Sequence, residues 1–450
     1  MSKLFGTDGI RGRANCDPIT PEIALKLGKT LAHVFHASGH GSARCLIGKD
    51  TRLSGYMLET AITSGLVSMG MDVFLVGPLP TPAVAHLTKS MGAVAGIMLT
   101  ASHNPFDDNG IKIFGNDGFK LSDEIENELE RLLLLDTMTS EHIRSDRIGK
   151  AYRMDDASGR YIEFAKATCP GLRLNGLKVV LDCANGAAYQ IAPVIFRELG
   201  AEVVKINAQP DGYNINNNCG ATHPETVGQA VREHHADVGI AFDGDADRVI
   251  FCDANGEVVD GDRILAMCAL DMKRRGRLAK DTLVVTSMTN LGLHEAMREN
   301  GIHVEVTDVG DRQVIERMRE HGFSLGGEKS GHLIFIDHIP TGDGIISALQ
   351  VLGLMKSRNV PISTLANCMS EYPQHLISLP VKIKTPIEEI PCLQAEVARA
   401  EAAMGDAGRV VLRYSGTENK IRLLVEARSA AICDEWTARL TAVIRQELCS

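Results

Sequence analysis

Four polar segments of this chain carry side chains able to do chemistry, and each stands next to a short apolar run. The first is Leu99-Thr100-Ala101-Ser102-His103-Asn104-Pro105, behind Ala93-Val94-Ala95-Gly96-Ile97-Met98. A strand ending in such a turn sets a hydroxyl at the carboxyl edge of a sheet, where open α/β sheets hold their ligands, so Ser102 is a candidate nucleophile. Serine, asparagine and proline are also ordinary turn residues, and taken alone the segment fits a turn and nothing more. It is not the Gly-x-Ser-x-Gly elbow of lipases, because Ala101 and His103 flank the serine.

The second segment is Asp243-Gly244-Asp245-Ala246-Asp247-Arg248. Carboxylates at i, i+2 and i+4 on a tight loop offer hard oxygens to a divalent cation, and magnesium, which takes carboxylates together with substrate phosphates, fits best. The spacing also begins a calcium hand, but Arg248 stands where that loop needs glycine and Ala254 closes it in place of glutamate. A solvated acidic turn is the plainer alternative. Three carboxylates would leave room for a phosphate on Ser102, whose roughly −1.5 to −2 charges require a metal and cationic groups nearby. Lys112 and Arg248 lie close to the two loops in sequence.

In the third segment, Gly327-Glu328-Lys329-Ser330-Gly331-His332, the side chains of Glu328, Ser330 and His332 suit hydrogen bonds to sugar hydroxyls or proton transfer, although a lone histidine is more often structural. The fourth is Arg413-Tyr414-Ser415-Gly416-Thr417-Glu418-Asn419, with Arg422 just beyond. Arg413, Ser415, Gly416, Thr417 and Arg422 together offer guanidinium forks, hydroxyls and backbone N–H groups, a set suited to a phosphate monoester; a turn held by its own Ser and Thr would read similarly.

The elements that must position these segments repeat three times. Arg44 to Asp50, Leu177 to Cys183 and Thr282 to Ser287 each read as a buried strand running into a polar loop. Helical patterning follows each and ends at Gly70, Gly200 and Gly301, where glycine suits the residue past a helix. Second strands begin at Met71, Ala201 and Ile302, and third runs cover Ala93 to Leu99, Asp237 to Phe242 and Phe323 to Gly326. The serine, acidic and Glu328 loops follow the third runs at equivalent places, with Val249-Ile250-Phe251 as a fourth strand in the second unit. Strands alternating with helices imply βαβ crossovers, so each loop leaves the same edge of its own domain and three loops can enter one cleft.

The C-terminal stretch differs, with strands at Ile377 to Val381, Val410 to Tyr414 and Ile421 to Glu426 and helices around Glu388 to Met404 and Ile432 to Leu448. The expected fold is therefore three similar α/β domains with mixed sheets plus a C-terminal α+β domain around a central cleft, bounded as 1–152, 153–254, 255–368 and 369–450. At 450 residues and 44% hydrophobic the chain is long enough for such cores. Its 47 basic against 57 acidic residues leave a net charge of −10 with no basic run, which speaks against nucleic acid as a partner. Eleven cysteines without a C-x-x-C pair read as reduced thiols of a cytoplasmic protein. No apolar stretch approaches the length of a membrane span, and the N-terminus has no secretory h-region, so no membrane role is expected.

The four loops, in this order, resemble those of the α-D-phosphohexomutase superfamily over the whole chain. Within it, Phe5-Gly6-Thr7-Asp8-Gly9-Ile10-Arg11-Gly12, Pro18-Ile19-Thr20-Pro21-Glu22 and the stretch Gly96 to Leu99 through Asp108 to Gly115 resemble the bacterial branch acting on glucosamine phosphates. The resemblance implies interconversion of glucosamine 6-phosphate and glucosamine 1-phosphate, feeding UDP-N-acetylglucosamine and the cell wall. Glucosamine 1,6-bisphosphate would be the intermediate and Mg2+ the cofactor. Ser102 would be the phosphoserine nucleophile and, through its phosphate, a metal ligand beside Asp243, Asp245 and Asp247. It implies that Arg11, Lys112 and Arg248 surround the transferring group, that Lys112 and, second to it, His332 move the proton, and that Glu328 and Ser330 read sugar hydroxyls. Arg413, Ser415, Gly416, Thr417 and Arg422 would clamp the distal phosphate. The implied partner is a small phosphosugar, and the family suggests a homodimer.

Three positions depart from the family pattern: Asn419 stands where proline is usual, Lys329 where this branch commonly has glutamine, and Ala246 where glycine is frequent. None removes an oxygen ligand, and Lys329 bears most on the choice of sugar because it changes the charge beside Glu328. The alternatives are a mutase of mannose or glucose phosphates, a metal-dependent phosphomonoesterase, and a non-catalytic sugar-phosphate sensor.

Overall fold

In the computed structural model, which describes residues 4–6, 8–37, 43–135, 143–415 and 419–449, the three repeats share one strand order. In each, the first strand lies between the second and third, parallel to both. Arg44–Lys49 is flanked by Asp72–Pro78 and Ala95–Leu99, Lys178–Asp182 by Glu202–Ile206 and Val238–Phe242, and Thr282–Thr286 by His303–Thr307 and Leu325–Gly327. The chain then reverses, and Asp108–Gly115, Val249–Asp253 and Leu333–Phe335 return antiparallel to the third strands. Each sheet is therefore mixed, as expected, and each polar loop is the connection that makes it so. The first and third strands of each repeat are buried almost throughout, which is why they read as continuous apolar runs rather than alternating ones.

The first sheet is widened to six strands by Ile10–Arg13 and Ala151–Arg153, and the second to five by Val258–Val259. Gly70, Gly200 and Gly301 leave their helices at φ of 88°, 96° and 65°, a conformation open to glycine at little cost. The core of the first repeat joins Ile47, Ile97 and Ile113 of the sheet to Leu27, Leu31, Leu58 and Ile62 of the helices Pro21–Ala37 and Leu53–Ser68.

The chain divides into two compact units, one of Met1–Met288 with Asn300–Cys368 and the other of Thr289–Glu299 with Met369–Ser450. The second contains the antiparallel sheet Gln374–Pro380, Lys420–Ala427, Gly408–Tyr414, packed against Pro391–Met404 and Ala430–Ile444 through Leu393, Leu423, Val425, Trp436 and Leu440. The helix Leu291–Glu299, which follows the first strand of the third repeat in sequence, is held in this second unit, where the Leu291 N–H donates to Glu426 Oε1 at 2.8 Å. Among the described residues no helix is long and apolar enough to cross a membrane.

Candidate active site

Ser102 follows the strand Ala95–Leu99 at a φ of 50°, in the left-handed region that non-glycine residues rarely enter. Its hydroxyl donates to Asp243 Oδ2 at 2.6 Å, and its Oγ lies 3.3 Å from His103 Nδ1. The strain is held by a dense set of bonds. The Ser102 N–H donates to Thr100 Oγ1 at 2.9 Å, and Thr100 in turn donates to Asp50 Oδ2 at 2.7 Å. Arg52, fully buried, pairs with Asp50 at 2.8 Å and sends its remaining N–H groups to the carbonyls of Ser102, Asn104, Pro105 and Asp108. Asn216 Nδ2 also donates to the Ser102 and Asn104 carbonyls, at 2.8 and 3.0 Å.

The acidic loop meets the serine loop face to face. A Cβ on Gly244 would stand 2.6 Å from the Ser102 carbonyl oxygen, so glycine is what permits this approach. Asp243, Asp245 and Asp247 are buried, with one carboxylate oxygen of each within 4.8 Å of the others. Asp243 Oδ1 accepts from the Arg248 N–H at 3.1 Å. Thr81, at the start of the helix Thr81–Ser90, gives Asp245 both its N–H and, at 2.6 Å, its hydroxyl. Burial, then the charges of Asp247 and Asp245, push Asp243 well above the ordinary carboxylate range. Burial presses Asp247 upward too, but Lys112, His332 and Arg248 outweigh it and hold that carboxylate well below the range.

The donor set fits a cation. Among the described residues, Asp245 Oδ1 and Asp247 Oδ1 are buried without a hydrogen-bond partner, while Arg11 Nε and Arg248 Nε are buried donors without an acceptor. Orphaned carboxylate oxygens beside orphaned guanidinium donors are the pattern a metal and an anion would complete together, since a buried polar group left unpaired is costly. The loop also turns through Ala246 at a φ of 57°, in the left-handed region that glycine enters at least cost.

Lys112 reaches this cluster because the return strand Asp108–Gly115 places it opposite Met98. Its ammonium lies 2.9 Å from Asp245, 3.1 Å from Asp247 and 3.3 Å from Asp8. Burial alone would lower its pKa, yet these three carboxylates raise it well above lysine's usual value, so the group is held as a cation. Arg11 pairs with Asp8, as does Lys120, which also pairs with Asp311. In the third loop, Glu328 Oε1 accepts from the Gly310 N–H at 3.1 Å and its Oε2 from the Ser330 hydroxyl at 3.2 Å. This loop is laced to the acidic one, for the Val249 N–H donates to the Gly331 carbonyl at 3.0 Å and Arg248 and His332 form a β-bridge.

His332 is buried with Nδ1 3.7 Å from Asp247 and Nε2 3.9 Å from Asp311. Burial lowers its pKa, but Asp247, Asp311 and Glu328 raise it above the ordinary value; the Gly342 N–H, 3.2 Å from Nε2, opposes a proton there. Any proton on the ring is therefore best placed at Nδ1, facing Asp247. Lys329 directs its charge to Asp260 at 3.4 Å, the residue capping the helix Gly261–Arg274.

The first unit thus gathers Ser102, Asp243, Asp245, Asp247, Lys112, Arg11, Arg248, His332, Glu328 and Ser330. Arg413, Ser415 and Arg422 assemble in the second unit. Arg413 and Arg422 are cross-strand partners, so their side chains share a face, and burial together with Arg422 lowers the Arg413 pKa. Arg422 Nε is buried without an acceptor among the described residues, and Lys384 Nζ donates to the Ser415 carbonyl at 2.6 Å. Two like charges side by side with an unused donor suit an anion. Gly416 and Thr417 lie outside the described residues. Sequence reasoning passed over Arg52, Thr81, Lys120, Asn216, Asp311 and Lys384. For Arg52 a signal existed, the polar run Lys49-Asp50-Thr51-Arg52 at the carboxyl end of a buried strand.

Comparison with known proteins covers the whole chain. Residues 2–138, 159–256, 260–372 and 376–443 match, in turn, the phosphoglucomutase/phosphomannomutase alpha/beta/alpha domains I, II and III and the C-terminal domain. The phosphoglucosamine mutase of Pelobacter propionicus is 51% identical over 449 residues, spanning 100% of this chain and 99% of that protein. A phosphoglucomutase/phosphomannomutase family protein from Burkholderia thailandensis superposes with a TM-score of 0.82 at 25% identity, over 99% of this chain and 97% of that one. The Aspergillus fumigatus N-acetylphosphoglucosamine mutase, solved with GlcNAc-6P and magnesium, shares the fold at a TM-score of 0.66 and 18% identity, over 98% of this chain and 95% of that one. The chain belongs to the phosphoglucomutase/phosphomannomutase family of α-D-phosphohexomutases, and relatives about half identical to it over its full length, that of Pelobacter propionicus among them, are phosphoglucosamine mutases.

Proposed function

We propose that this chain interconverts glucosamine 6-phosphate and glucosamine 1-phosphate, passing a phosphoryl group through Ser102. The observation that carries the reading is the Ser102 hydroxyl, 2.6 Å from Asp243 in a buried site that also holds Asp245, Asp247, Lys112 and Arg248. In the working form Ser102 bears a phosphate. The hydroxyl at C1 of glucosamine 6-phosphate attacks the phosphorus, the P–O bond to Ser102 breaks, and glucosamine 1,6-bisphosphate forms with the serine oxygen taking up a proton. The bisphosphate turns over and returns its C6 phosphate to Ser102, releasing glucosamine 1-phosphate. Such transfer rests on positioning and charge stabilisation.

Asp243, Asp245 and Asp247 would hold Mg2+, which when bound offsets the charge of the carboxylates and of the phosphoryl group. Arg11 and Arg248 aim unused donors into the site and serve the phosphate. Lys112, which rests as a cation, gives a proton to the departing Ser102 oxygen and regains one from the attacking hydroxyl, with His332 the second candidate, its neutral ring carrying the proton at Nδ1. Glu328 and Ser330 orient sugar hydroxyls, while Arg413, Ser415, Gly416, Thr417 and Arg422 anchor the distal phosphate. We assign the product to UDP-N-acetylglucosamine and cell-wall synthesis in the cytoplasm, with a homodimer as the working form, which light scattering tests.

Intact mass is the decisive measurement. One added phosphate mapping to Ser102 and lost on incubation with substrate is expected, and Ser102→Ala should fold yet lack mutase activity. Full activity in that variant, or higher turnover on mannose 6-phosphate than on glucosamine 6-phosphate, would overturn the reading.

A further inference from the structure

Away from the candidate site, the first unit carries a cavity of about 550 Å3, a size typical of small-molecule sites. Its walls are the C-terminal ends of the helices Gly261–Arg274 and Gly344–Arg358 and the segment around Cys169. Both helices begin at the catalytic loops: the Gly261 N–H donates to the Lys329 carbonyl and the Gly344 N–H to that of Ala246. The cavity therefore sits at the far end of the two helices that carry the site.

Its charge is opposite to that of the chain. Against a net charge of −10, the rim presents Arg173, Arg275, Arg277 and Lys356 with Asp271 as the one acid. Asp271 is already paired with Arg274, Arg275 and Arg358 at 2.8, 2.6 and 3.1 Å. The negative ends of the two helices, about half a charge each, are outweighed by these cations. Arg275 and Lys356 are further tied to Ser357 Oγ and the Asn175 carbonyl. Among the described residues Arg173 donates only to its neighbour's carbonyl and Arg277 has no carboxylate partner, so two exposed guanidinium forks stand ready for an anion. Each fork matches one phosphate in a bidentate manner. Leu172, Met272, Phe335 and Leu354 supply an apolar wall.

We propose that this cavity is a second binding site, for an organic anion with a diphosphate group and an aromatic body, a nucleoside diphosphate being the ligand type. The inference does not depend on the activity proposed above. The test is calorimetric titration of the full chain with UDP, ADP and inorganic pyrophosphate as probes. Saturable binding of UDP or ADP is expected, unaffected by saturating glucosamine 6-phosphate, and weakened at least about tenfold by Arg277→Glu and further by adding Arg173→Glu, each lost charge-assisted contact being worth about one factor of ten or more. Both arginines are exposed, so the variants should keep the wild-type Tm; should the double variant lose it, Arg277→Gln carries the same comparison. The proposal fails if neither nucleotide binds, if binding survives the charge reversals, or if glucosamine 6-phosphate displaces the probe. Pyrophosphate binding as tightly as the nucleotides would refute the aromatic body of the ligand.

Discussion

Arg52 makes the sharpest test of how the strained serine is held. Its guanidinium is fully buried and supplies one pairing to Asp50 and bonds to four carbonyls of the segment Ser102 to Asp108. Lysine at this position keeps the charge beside Asp50 but loses the planar fork. Asn216 still serves the Ser102 and Asn104 carbonyls, so the loss falls on those of Pro105 and Asp108. At about 1 kcal/mol for each of these two hydrogen bonds lost, Pro105 being exposed and its carbonyl still accepting from the Asp108 N–H, Arg52→Lys should weaken the local structure by about 2 kcal/mol. Arg52→Met also strips Asp50 of its counter-charge, and breaking a buried pair costs about 3–5 kcal/mol. Amide hydrogen exchange over residues 100–110 reads the effect directly, because about 2 kcal/mol raises the open population roughly thirtyfold. A displaced Ser102 should also lower kcat by about 10- to 100-fold, since small misplacements are costly to phosphoryl transfer. Wild-type exchange and wild-type kcat in Arg52→Lys together would refute this account of the loop.

Three further outcomes follow from the geometry. Gly244→Ala forces a Cβ to within 2.6 Å of the Ser102 carbonyl oxygen, so kcat should collapse while stability falls by only about 1–3 kcal/mol; unchanged turnover would show that the two loops need not approach so closely. Burial raises the Asp343 carboxyl from 3.8 to about 6, against the hydrogen bonds it accepts from the Ile346 N–H and the Tyr161 hydroxyl. The folded state then binds the proton more tightly than the unfolded one, so stability should fall as pH rises from about 4 to about 6, by about 3 kcal/mol for this group. Tm measured across that window should slope less in Asp343→Asn, and an identical slope would exclude the group as its source. Magnesium added to chelator-treated protein should raise Tm, by the equivalent of about 2.7 kcal/mol at a hundred times its Kd, and Asp245→Asn should abolish the shift. A Tm indifferent to magnesium in the wild type would remove the acidic triad as a cation site.

Much of this molecule is legible in its sequence, because the information is local. Apolar runs such as Val179-Val180-Leu181 must be strands buried on both faces, and alternate aspartates on a glycine turn must crowd their carboxylates whatever surrounds them. The threefold repetition of such runs fixed which loops are equivalent, and the sheet order bears this out. What the tertiary structure alone decided is which distant groups meet. Lys112 reaches Asp245, 133 residues away, only because the strand after the serine loop turns back antiparallel. Thr81 and Asp245 are 164 residues apart, and Arg52 finds its four carbonyls roughly fifty residues downstream. Periodicity reports the face a residue turns to its own element, whereas these partnerships depend on how separate elements pack. The chemistry of the residues was therefore readable from the chain, and the charge balance that holds Lys112 as a cation and lifts Asp243 above the carboxylate range arose only when folding buried them together.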